Sequence, residues 1–403
     1  MRAAGIAWAL AAAVLGIAGG AVAKDDKLPE VDDPAKVKPG QTALLKAPKG
    51  MRYFLRVPKG YNPKTGARLI VFLHGSNMNG LSYVRSFEAK RWAQDALLCC
   101  PNGEQGNDPY GANNFTFESA PFVADVTEQV KNAYKVTIAY CGGHSQGGFL
   151  TYSVILNFPD LFQGAMPMAG DCWMQNEPNL WEDRPEIAEK QRRIAIAVVH
   201  ARNDPVVKFE QGEHAYDVFR AAGWRRLRFF DPPNAAHMFM VYPVDDVLDW
   251  LDAMNGLDPK SAAKLARKWA KDGEWGWVRE AVENDPTAKG GDPELRKAAE
   301  AAAAKEVSAM EEAMKGKPAE WIPKWLEFWR IHGGTAAAKP LVDGYLAKRA
   351  EQASEGRRLF DEATGLGRGG DRDGERKVLE QILAEAPCTY EAYYAWKWLA
   401  TWK

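Results

Sequence analysis

Up to about residue 255 the apolar positions fall in short continuous runs separated by longer mixed stretches. The runs "MRYFLRVP" (51–58), "RLIVFLHG" (68–75), "ALLCCPNG" (96–103), "VTIAYCGG" (136–143), "FQGAMPMAG" (162–170), "RIAIAVVHA" (193–201) and "RLRFFDP" (226–232) read as strands. Most lack an apolar/polar alternation, which is the pattern of strands covered on both faces. Between them, "FVADVTEQVKNAY" (122–134) and "EQGEHAYDVFRAAG" (210–223) carry helical periodicity, the second stopping at Gly223. Strand–helix alternation of this kind predicts an α/β domain: a mostly parallel sheet with helices on both faces.

Beyond residue 255 the pattern is helical only, in "PKSAAKLARKWAKDG", "PELRKAAEAAAAKEVSAMEEAMKG", "PAEWIPKWLEFWRIHGG" and "ERKVLEQILAEAP", punctuated by Gly and Pro. Tryptophan is concentrated there. Trp321, Trp325 and Trp329 are four apart, hence on one helix face, and core packing is the preferred reading over a ligand surface. The stretch "RKVLEQILAEAPCTYEAYYAWKWLA" loosely resembles a tetratricopeptide unit, without a period that defines a repeat. The expected organisation is a linker at 24–44, a catalytic domain at 45–254 and a Trp-rich helical domain at 255–403, which leaves a protein partner open.

The amino terminus changes the picture of where the protein works. Arg2, an apolar run and Ala21-Val22-Ala23 form the basic, hydrophobic and small-residue parts of a secretory signal over residues 1–23. Cleavage after Ala23 predicts an extracytoplasmic protein with no membrane span thereafter. Charge adds an exclusion: 52 basic and 53 acidic side chains nearly cancel, so no general attraction to nucleic acid is expected. The five cysteines show neither C-x-x-C nor zinc-ligand spacing, so no metal is expected, and only Cys172 stays open for a bridge.

Candidate chemistry centres on "CGGHSQGGFL" (141–150). A strand runs into G-x-S-x-G and then into a helical stretch, the setting of a nucleophile elbow, with Ser145 as nucleophile. Bulky side chains at 143 and 147 would clash where strand and helix backbones meet. A serine nucleophile needs a base, an orienting carboxylate and oxyanion donors, with the acid and then the histidine following the serine along the chain. His237, in the loop "PPNAAHMF" before the final helix of the domain, fits the base, and Asp204, after the strand ending at His200, fits the acid. Asp231, six residues before His237, is the weaker candidate. The backbone N–H groups of Gln146 and Ser76 are the expected oxyanion donors. His74 and His144 are read as structural. Insertions at 102–122 and 170–193 flank the predicted pocket. The second carries Trp173 and Trp181, candidate substrate contacts whose alternative role is packing the loop.

At these motifs the chain resembles the α/β-hydrolase superfamily. "YFLRVPKGYNPKTGARLIVFLHGSN", "PNG", "GHSQGG", "HARNDPVV" and "NAAHMF" are similar to secreted esterases related to polyhydroxybutyrate depolymerases and feruloyl esterases, over roughly residues 45–254. The resemblance implies a cofactor-free serine ester hydrolase acting through an acyl-enzyme. Ala201 stands where the family usually has glycine, and Ala235-Ala236 replace glycines often found before the catalytic histidine, which leaves the substrate open. Two other readings remain: a prolyl-oligopeptidase-like serine peptidase, against which no β-propeller precedes the domain, and a non-catalytic interaction protein on a hydrolase-like domain.

Overall fold

The computed structural model describes residues 27–116, 118–172, 190, 192–257, 259–283 and 292–402. The signal at 1–23 and both Trp173 and Trp181 lie outside the described residues. Two compact units are present. The first holds residues up to Tyr216 together with Arg228–Leu251, and the second holds Asp217–Leu227 and Asp252–Lys403. Among the described residues no helix is long and apolar enough to cross a membrane.

Nine described strands form one sheet, ordered β1-β2-β3-β5-β4-β6-β7-β8-β9. They are β1 (Glu30–Val31), β2 (Thr42–Lys46), β3 (Arg52–Arg56), β4 (Ala67–Leu73), β5 (Ala96–Pro101), β6 (Val136–His144), β7 (Gly164–Met168), β8 (Ala195–Val199) and β9 (Leu227–Phe230). β3 runs antiparallel to both β2 and β5. From β5 through β4, β6 and β7 to β8 every pair is parallel. Counted from β2, this order is that of the α/β-hydrolase fold, with the exchange of β4 and β5 and one antiparallel strand near the edge. Each of the seven sequence-predicted strands has its counterpart within a few residues. The continuous apolar runs are explained by burial: every residue of β5, β7 and β8 is buried. Helices α1 (Gly80–Phe87), α2 (Ala120–Ala133) and α3 (Gln146–Asn157) connect the central parallel strands. The α1 start is fixed by Asn79, whose side chain accepts the Ser82 N–H.

α4 (Phe209–Ala221) follows β8, and α5 (Val244–Met254) follows β9. α4 ends where sequence places the stop: Gly223 adopts φ +83° while Trp224 N–H reaches the Phe219 carbonyl and Gly223 N–H that of Arg220.

The second unit is helical. It contains α6 (Pro259–Lys271), α7 (Trp275–Glu283), α8 (Pro293–Ala313), α9 (Pro318–His332), α10 (Lys339–Arg368), α11 (Arg372–Glu385) and α12 (Tyr390–Thr401). The tryptophans spaced four apart on α9 are buried, and Trp325 stacks on Tyr345 at a centroid distance of 4.2 Å. That stripe is core. α10, α11 and α12 pack on one another. A cleft of about 630 Å³ in this unit is lined by Trp275, Met310, Phe328 and His332 among others.

Candidate active site

β6 ends at His144 and α3 begins at Gln146, so Ser145 alone makes the turn between strand and helix. Its backbone sits at φ +54°, ψ −118°, a strained region for a residue with a side chain. The flanking glycines are there for space. A Cβ on Gly143 would stand 2.3 Å from the Gly147 carbonyl oxygen, and one on Gly147 would stand 2.2 Å from that of Leu73. Ser145 N–H bonds the Met168 carbonyl of β7, and Phe149 N–H bonds the Ser145 carbonyl. The elbow is thereby tied to both neighbouring elements.

Two loops past the sheet's carboxyl edge bring a carboxylate to an imidazole. Asp204 follows β8 with its side chain buried, and its Oδ2 lies 2.7 Å from His237 Nδ1. Its other oxygen accepts the N–H groups of Val206 and Val207, so the carboxylate cannot rotate freely. The loops are also joined by Ala236 N–H donating to Asn203 Oδ1. Ala236 sits at φ +47°, where a glycine would carry no strain. The His237 ring lies 4.5 Å, centre to centre, from the ring of His144, the residue next to Ser145. Asp231 is engaged elsewhere: its carboxylate pairs with Arg202. Of the two candidate acids, the one brought to His237 is Asp204.

Behind this pair is a second imidazole, His200, fully buried, with Nε2 bonded to the Val207 carbonyl and 3.8 Å from Asp204 Oδ2. Burial lowers its pKa, with the Val207 carbonyl and the Asp204 charge pulling the other way.

Two backbone N–H groups beside the serine are candidate oxyanion donors. In the loop after β4, Gly75 N–H bonds the Tyr83 hydroxyl, Asn77 N–H bonds Asn114 Oδ1, and Met78 N–H bonds the Gly75 carbonyl. Among the described residues the Ser76 N–H between them meets no acceptor. Gln146 is the first residue of α3, so its N–H has no carbonyl four residues back within the helix. A methyl on Gly75 would lie 3.5 Å from Ser145 Cβ, which brings this loop against the serine.

The sequence reading missed the struts that hold these groups. The Gln146 side chain pairs with the Phe115 backbone in both directions, at 3.0 and 3.1 Å, pinning the 102–122 insertion to the elbow. His74 does the same from the other side. Gly103 N–H donates to its Nε2 at 3.1 Å, so the ring proton is on Nδ1 and goes to the Gly75 carbonyl at 2.7 Å. Burial holds this imidazole neutral, with its pKa down at about 4. The Tyr83 hydroxyl, already accepting from Gly75, lies 3.2 Å from His144 Nδ1. Burial, then the neighbouring His237, push the His144 imidazole well below its usual range. Tyr83 carries no local sequence signal; Gln146 and His74 were noted only for a backbone N–H and as structural.

No protein-family model matches the chain. Feruloyl esterase C of Emericella nidulans is 28% identical over 176 residues, 40% of this chain and 58% of that protein. The chain thus spans a little over half the length of this relative. Among solved structures, Zea mays acyl-protein thioesterase 2 aligns with 50% of this chain and 98% of its own at 21% identity and a TM-score of 0.42. An acetyl xylan esterase from Aspergillus awamori aligns with 51% of this chain and 95% of its own at 13% identity and the same TM-score.

Proposed function

We propose that this chain is a serine hydrolase of carboxylic esters that works through an acyl-enzyme. The observation that carries the reading is the 2.7 Å contact between His237 Nδ1 and the buried Asp204 carboxylate, in the domain whose strand-to-helix turn is the strained Ser145. In this mechanism the imidazole takes the Ser145 proton as the hydroxyl attacks the ester carbonyl. Asp204 holds the ring with its proton on Nδ1 and stabilises the imidazolium. The N–H groups of Ser76 and Gln146 receive the tetrahedral oxyanion. Collapse expels the alcohol with the proton from His237, and water repeats the attack on the acyl-enzyme.

The substrate reading is supported by the relative's name, which points to feruloyl esters as the first class to test. It is also supported by an apolar rim beside the imidazole, where Met238, Met240 and Val241 are exposed. An aromatic acyl group would lie against such a rim, and Trp173 and Trp181 remain proposed contacts for it. Export by the 1–23 signal is part of the same proposal, because ester-bearing polymers are met outside the cell.

The test is turnover of p-nitrophenyl and feruloyl esters by the full chain and by Ser145→Ala. The expected result is hydrolysis by the first and a loss of several orders of magnitude in the second, with folding unchanged by circular dichroism. Turnover retained in Ser145→Ala would overturn the nucleophile. No turnover of any ester by the wild-type chain would favour the interaction-protein reading.

A further inference from the structure

Three side chains with different donor atoms converge away from the serine site. A carboxylate oxygen of Asp171, the Cys172 sulfur and a ring nitrogen of His214 all lie within 4.8 Å of one another. Asp171 and Cys172 follow β7, and His214 is on α4, so the group is held between a strand end and a helix. The local chain bends to bring the adjacent pair together: Cys172 N–H donates to Asp171 Oδ1 at 2.7 Å. The same oxygen lies 2.8 Å from His214 Nδ1.

We propose that Asp171, Cys172 and His214 form a binding site for one divalent transition-metal ion of the zinc class. The chemistry of the donor set points there. Zinc takes thiolate sulfur, imidazole nitrogen and carboxylate oxygen in a single site, and three protein ligands leave one position for water. Calcium and magnesium want oxygen donors only, so the sulfur selects against them. Electrostatics agree. Asp171 and Cys172 are buried and Asp171 already faces His214, so ionising the thiol as well would put a second negative charge there. A divalent cation makes the three-ligand site neutral. Binding therefore drives off the thiol proton, and affinity falls as pH drops. Cys172 forms no disulfide, and the other cysteines are also unbridged and buried. The His214 side chain is 32% exposed and gives the ion a way in. Sequence reading expected no metal because the ligands come from β7 and α4, with no local spacing to mark them. The proposal does not depend on Ser145 chemistry.

The test uses the untagged full chain, stripped with chelator, and Co2+ as a spectroscopic stand-in for Zn2+. One equivalent of Co2+ is expected to bind with a thiolate-to-cobalt band in the near ultraviolet and to be displaced by Zn2+. Cys172→Ser should lose the band. His214→Gln should bind at least about tenfold more weakly, since loss of even an outer-shell partner costs that much. Ser145→Ala should bind as wild type, which separates this site from the hydrolase reading. Absence of the band in wild type, or undiminished Zn2+ binding by a folded Cys172→Ser, would overturn the proposal. Folding is followed by circular dichroism. Should Cys172→Ser fail to fold, the wild-type cobalt spectrum decides.

Discussion

At the scale of single residues, the two candidate acids differ in their partners, and that difference can be measured. The Asp204 side chain is buried against His237, whereas Asp231 is held by Arg202 in a partly exposed pair. In the proposed mechanism, Asp204→Asn is expected to lower kcat by about 10⁴-fold, because the imidazole would then take the wrong tautomer. Asp231→Asn should stay within about twofold, as an exposed ion pair contributes little. The reverse pattern in ester turnover would reassign the acid. His74 makes a prediction about pH and stability. Its folded pKa, about 4, lies below the ordinary 6.5. Above 6.5 it is neutral in both folded and unfolded chains. As pH falls below 6.5 the unfolded chain takes the proton first, so stability drops until about pH 4, where the folded imidazole also protonates. The full drop is about 3 kcal/mol for this one group. His144, His200 and His332 are depressed in the same direction and add to it. Denaturant unfolding between pH 6.5 and 4 should therefore show a shallower slope in His74→Gln than in wild type. Equal slopes would mean that the buried ring is not what takes the proton.

At the scale of elements, the serine turn depends on a near-contact of backbones. Gly147→Ala would force its methyl to 2.2 Å from the Leu73 carbonyl oxygen, and backbone on both sides must move. The expected loss is about 3 kcal/mol, the upper part of the usual overpacking range, together with most of the ester turnover. Gly60→Ala is the control: nothing lies within 4 Å of its added methyl, and stability should change by less than about 0.5 kcal/mol. If the two variants melt alike, the close approach at the turn is not real. The elements that sequence made legible are those with strong local signals. Buried parallel strands read as unbroken apolar runs, and the serine turn reads as a glycine pattern between strand and helix. β2 straddles the boundary expected between linker and catalytic domain, because "TALLK" is too short a run to mark a strand by itself. α10 falls in the stretch read as helical, but Gly344, Gly356, Gly365 and Gly367 interrupt its 30 residues and blur its periodicity. At Gly356 the reason is packing: a methyl there would lie 2.8 Å from Thr389 Oγ1. Ala236, which stands where the esterases it resembles often have glycine, takes a strained positive φ. What sequence could not supply were partners brought together by tertiary folding: Tyr83 with His144, Gln146 with Phe115, and Asp171 with His214.

At the scale of the whole molecule, the division between units does not follow the division in sequence character. The sequence changes from alternating to helical near residue 255, yet residues Asp217–Leu227 belong with the helical unit. Their contacts within that unit are specific. Trp277 Nε1 donates to the Leu227 carbonyl, Arg349 donates to that of Ala221, and Arg226 bonds Asn255. Gly223 leaves room only for hydrogen against the Trp329 ring, 2.5 Å from where a methyl would stand. Trp224 and Phe219 are almost wholly buried. A truncated chain ending at residue 254 keeps the candidate triad but removes the partners of this stretch. Each such hydrogen bond contributes about 0.5–1.5 kcal/mol, so losing the three together removes a sizeable part of the stability of an ordinary domain. The truncated protein is therefore expected to melt well below the full chain, or to aggregate, through loss of structure around α4. The measurement is thermal unfolding of segments 24–254 and 24–403, with ester turnover at low temperature as a second readout. Equal melting temperatures would show that Asp217–Leu227 is held by the first unit alone, and that the helical half is an independent appendage.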